Sequence, residues 1–72
     1  MARRREVVPG QSYQAVETNA VWEVREVSSD AAGIQHARLV RRDDPTTVKM
    51  LAVSVLRDLR RYRPLAEDQG GV

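Results

Sequence analysis

Apolar and polar residues alternate most regularly over residues 21–27 and 34–40. The first run is Val21-Trp22-Glu23-Val24-Arg25-Glu26-Val27 and the second Ile34-Gln35-His36-Ala37-Arg38-Leu39-Val40. Period-two alternation of this kind predicts strands with one buried face. The polar, glycine-ended segment Ser28–Gly33 between the runs predicts a turn, so the two are expected to form one antiparallel hairpin. If Val27 faces Ile34, then Trp22 faces Leu39 and Val24 faces Ala37 on the apolar side. On the other side Glu23 meets Arg38, Arg25 meets His36, and Val21 meets Val40. Glu26 opposite Gln35 interrupts the apolar face, and a bulge at Arg25-Glu26 would turn Val27 inward again.

The flanking segments extend the pattern. Gln11 to Val16 reads as a first strand anchored by Tyr13, with Glu17-Thr18-Asn19 as the loop that follows. Arg41 to Thr46 reads as a charged turn. Residues 47–63 admit two readings. Val48, Leu51, Ala52, Val55, Leu59 and Tyr62 fall at helical spacing, with Asp44-Pro45 as a start signal and Pro64 as a stop. Thr46, Thr47, Val48, Val53 and Val55 are β-branched, however, and lose side-chain freedom in a helix. The strand reading takes 47–53 as a fourth strand, 54–58 as a short 3₁₀ turn and 59–65 as a fifth strand. The helix reading takes a hairpin followed by a helix over 45–62. The expected core comprises Tyr13, Val16, Trp22, Val24, Ala37, Leu39, Leu51, Val53, Leu56 and Leu59.

Size and composition narrow the possibilities. Seventy-two residues make one domain, and a chain this short buries only about 60% of its unfolded surface. Residues 1–9, with Arg3-Arg4-Arg5 and Pro9-Gly10, are expected to be a flexible basic arm. Residues 66–72 are expected to be a disordered tail, which leaves 10–65 as the folded unit. The chain has no cysteine, so neither disulfides nor thiolate zinc sites reinforce it. That fits a reducing cytoplasm, the expected location. No apolar run approaches a membrane span of roughly 18 residues, and no apolar stretch follows the basic start. Formal net charge is only +2 although the sequence pI is about 9.7. Eleven of the twelve basic residues are arginine, which stays charged at high pH and inflates the pI.

The opening Gly10-x-x-Tyr13, the strand Trp22-x-Val24-x-x-Val27, and Leu56 in a short turn before a last strand resemble the small SH3-like β-barrels. Tudor-like and KOW-like modules and many short bacterial proteins share that architecture. The resemblance favours the strand reading of 47–63. It implies an all-β, five-stranded, strongly bent sheet with a short 3₁₀ turn before the last strand, and no catalytic residue. The aromatic cage of methyl-lysine-reading Tudor modules needs several exposed aromatics. Only Tyr13, Trp22 and Tyr62 occur here, and Trp22 is required for the core.

Candidate chemistry is sparse. His36, the only histidine, has no companion ligands and no motif partner for general-base work. Asp43-Asp44 lacks the spaced oxygen ligands of a calcium loop, and the neighbouring Arg41-Arg42 balances its charge. No metal, cofactor or small-molecule substrate is expected, and no enzymatic activity. Two surfaces remain. Arg57, Arg60 and Arg61 with Tyr62, extended by Arg38, Arg41 and Arg42, could grip phosphates and stack a base. Val21 and Val40 could form an outward stripe for self-association or a protein partner. The expectation is a non-catalytic binding module whose partner is a protein or a second copy, with nucleic-acid binding through the arginines as the alternative.

Overall fold

The computed structural model describes residues 6–65. Five antiparallel strands form one sheet in the order β4-β3-β2-β1-β5. The strands are β1 (Ser12–Ala15), β2 (Val21–Ser29), β3 (Gln35–Arg41), β4 (Asp44–Ala52) and β5 (Tyr62–Pro64), with the single-turn helix α1 (Val53–Leu56) between β4 and β5. The domain is therefore all-β apart from that turn. The helix expected as an alternative over 45–62 does not form. Val48, Lys49, Met50 and Leu51 instead pair with β3, as their β-branched neighbours favour.

The hairpin forms with its two faces as expected but with a shifted register. Trp22 lies opposite Arg41 and Val24 opposite Leu39, each two residues further along than the predicted partner. Ser28 and Ser29, expected in the turn, belong to β2 and pair with His36 and Gln35. The connection tightens to Asp30–Ile34. There the Asp30 carboxylate accepts the backbone N–H groups of Ala32 and Ile34 at 2.9 and 3.0 Å, and Gly33 adopts φ +83°. A shift of two keeps every side chain on its own face, since the strand period is two. The bulge falls between Val24 and Glu26, and Val27 beyond it packs against the core. Arg38 consequently meets Glu26 rather than Glu23, at 3.2 Å. His36 faces Ser28 rather than Arg25.

The core lies on one side of the sheet. Tyr13, Val24, Leu39 and Leu56 are its largest fully enclosed side chains, joined by Val7, Ala15, Trp22, Ala37, Val53 and Tyr62. Leu51 packs against it while half-buried. Two expected core residues lie outside: Val16 is exposed just after β1, and Leu59 is 64% exposed in the turn after α1. Strand β5 starts at Tyr62, not Leu59. Val7 is a further correction, because residues 6–9 are not a loose arm. Its side chain is buried in the core, and the segment is held by Gly10 N–H donating to Val24 O and by Gln11 bonding to Val8 and Glu6. The remaining arm residues, 1–5, and the tail 66–72 lie outside the described residues.

Helix α1 is short for local reasons. No side chain caps its start, and two of its four residues are valine. It holds because Val53 and Leu56 are buried. Asp58 O then accepts both Arg61 and Tyr62 N–H, steering the chain into β5.

Candidate functional site

Inward positions near one end of the sheet gather around a cleft of about 660 Å³. Trp22 from β2 and Tyr62 from β5 contribute its aromatic lining, and both rings are largely buried. Lys49 from β4 lies between them. Its Nζ is 4.3 Å from the centre of the Trp22 ring and donates to Tyr62 Oη at 3.4 Å. The contact is long for a hydrogen bond, but it joins residues of β4 and β5, the two outermost strands in the order. The sheet is thus bent far enough for its two margins to meet through side chains. No acceptor lies within hydrogen-bond reach of the buried Trp22 Nε1–H among the described residues.

Three arginines complete the lining: Arg41 at the end of β3, and Arg60 and Arg61 from the turn before β5. Val16, Ala20, Leu51 and Val55 supply apolar lining, and Glu17 is the one acidic lining residue among the described residues. Arg41 Nε lies 2.7 Å from Asp43, while Asp58 sits 3.3 Å from Arg60 and 3.7 Å from Arg61. Neither aspartate lines the cleft. The backbone N–H of Arg60, followed by its side chain, holds the Asp58 carboxyl below the usual range. These arginines remain solvent-facing; Arg60 and Arg61 side chains are 91% and 67% exposed.

The expected arginine patch therefore divides. Arg41, Arg60 and Arg61 converge with Tyr62. Arg38 lies on the opposite face, paired with Glu26. Arg42, in the two-residue turn between β3 and β4, donates to the buried Ser12 hydroxyl. Arg57 lines a smaller hollow of about 200 Å³ beside Gly33, Ile34 and Val53. Tyr62 is 8% exposed, so its ring is not the open stacking surface expected of it. No family model, curated protein or solved structure matches this chain.

The outer face carries the second surface. Val40 is paired with Glu23 on one side and Val48 on the other, so it does not face Val21 directly. It is only 7% exposed and Val21 is half-buried. The stripe expected at Val21 and Val40 is displaced outward: its exposed members are Val48 and Met50 on β4, 48% and 58% exposed. Among the described residues no three His, Asp or Glu side chains gather to hold a metal ion, and no helix is long and apolar enough to cross a membrane.

Lys49 was not among the expected site residues. A signal existed: on a strand over 47–53 it shares the inward side with Leu51 and Val53, and an inward charge requires a partner.

Proposed function

We propose that this chain is a non-catalytic interaction module of small SH3-like barrel type, and that its protein partner is in the first instance a second copy of itself. The strand order, the one-turn helix before the last strand and the meeting of β4 with β5 through Lys49 and Tyr62 support the barrel reading.

The observation that carries the interaction is the contrast between the two outer strands. Natural sheets blunt their edges with short strands, proline and charge. Strand β5 has these guards, with three residues that include Arg63 and Pro64. Strand β4 runs for nine residues, and its proline and aspartate stand only at the start. Its mid-strand charge, Lys49, is turned inward onto Trp22. Val48 and Met50 face outward beside it. Among the described residues β4 pairs with a strand on one side only, and such an edge with an apolar flank suits addition of another strand.

Sedimentation equilibrium over a wide concentration range tests the reading. Self-association is expected in the native chain, and Val48→Lys with Met50→Lys should abolish it while leaving the melting transition cooperative. A strictly monomeric native chain at high concentration would overturn the self-association.

A further inference from the structure

We infer that the cleft between Trp22 and the Arg60-Arg61 turn is a second binding site, which takes an acidic segment of a protein. It rests on the protein-partner reading above for the class of ligand, but it uses the concave side of the sheet rather than the β4 edge.

Charge complementarity comes first. Among the described residues, four cationic side chains from three separate parts of the chain line one cleft against a single carboxylate, Glu17. Like charges brought together repel, and a bound anion relieves that repulsion. Asp43 and Asp58 balance part of this charge from outside the lining. The outward-extended Arg60 and Arg61 leave guanidinium donors to spare, each suited to grip a carboxylate in bidentate fashion. The apolar lining from Leu51, Val55 and Ala20 fits the methylene stems of glutamate or an adjoining apolar residue. The Trp22 Nε1–H, in a residue that is 5% exposed and lines the cleft, has no acceptor among the described residues.

The same features disfavour a nucleic-acid strand. Sequence-tolerant strand binding combines a basic groove with aromatic faces on which bases stack. Here both aromatic rings are buried, and Arg38, Arg42 and Arg57 face elsewhere.

Titration of the full, isotope-labelled chain by nuclear magnetic resonance tests this, with a short oligoglutamate peptide as probe and an oligothymidylate of equal charge as competitor class. At low salt, the peptide should shift the Trp22 indole N–H and the amides of Lys49, Arg60 and Arg61. Arg60→Glu with Arg61→Glu should weaken binding about tenfold or more, equivalent to about 1.4 kcal/mol. Arg41→Gln with Lys49→Gln, which spares the Asp58 turn, should weaken it too. Arg38→Glu with Arg63→Glu changes net charge equally on the other face and should weaken it less than about threefold. Absence of shifts at low salt, or equal losses in the cleft and control variants, would overturn the site. Tighter binding of the oligothymidylate at the same residues would overturn the acidic-protein assignment. None of these outcomes depends on the sedimentation result for the β4 edge.

Discussion

Replacing Lys49 by methionine isolates the contact that ties the two margins of the sheet together. Methionine keeps an unbranched stem over the indole and removes only the ammonium group. The ammonium lies 4.3 Å from the Trp22 ring centre. A cation over an aromatic face contributes about 0.5–1 kcal/mol when exposed and about 2 when desolvated. Lys49 is half-buried, so about 1 kcal/mol is expected. The 3.4 Å contact to Tyr62 Oη adds a few tenths at most, because hydrogen bonds weaken at that length. Stability itself is a poor readout, since the new thioether also gains from burial. The coupling energy in a cycle of Lys49→Met, Trp22→Phe and the double variant removes that gain. Thermal and urea unfolding followed by circular dichroism should give a coupling of about 0.5–1 kcal/mol, because phenylalanine retains part of the attraction. Coupling below about 0.3 kcal/mol, within additivity error, would refute an energetic link between β4 and the tryptophan.

Three further outcomes follow from the packing and the turns. Leu39→Ala empties a fully enclosed site and should cost about 2–5 kcal/mol. Against a total of about 4–11 kcal/mol for 72 residues, calorimetry should find a lowered or absent transition, and an unchanged one would contradict the core. Gly33→Ala has space for the new methyl but strains φ +83°, so it should cost about 1–2 kcal/mol, whereas Gly33→Asn should cost less. Asp30 is held below its ordinary value chiefly by the Ile34 N–H, Asp44 by the Thr46 hydroxyl, and Asp58 by the Arg60 N–H. Their folded values lie below their unfolded ones. Their contribution is therefore complete above the unfolded value of about 3.9 and is lost as pH falls through the folded values. Urea midpoints should drop over that acid range, and Asp30→Asn should flatten part of the drop.

Much of the fold is legible in the sequence because the hairpin alternation leaves few alternatives. Trp22, Val24, Ala37 and Leu39 take the predicted side, and the bulge at Arg25 forms where Glu26 would otherwise break the apolar face. The register was less legible. Nothing local distinguishes a six-residue turn from the tighter one that the Asp30 carboxylate closes. Val7 and Tyr62 lie in the core because of long-range packing, while Glu6 and Val8 flank the first and Arg61 and Arg63 the second, so no local alternation marks either as buried. Leu59 satisfies helical spacing with Val55 and Tyr62, yet α1 ends at Leu56 and leaves it in a turn. The arginines read as one run only in sequence; the turn between α1 and β5 sends Arg57 and Arg61 to different hollows. The unguarded outer strand could not be read at all, since strand order is a property of the sheet and not of any segment.

Amide hydrogen exchange along Asp44–Ala52, compared at low and high protein concentration, tests most directly whether β4 is the working edge. The account predicts that alternate β4 amides, those pointing away from β3, slow as concentration rises, while the amides of β5 do not change. Identical exchange along β4 at both concentrations, or protection gained on another element, would contradict it.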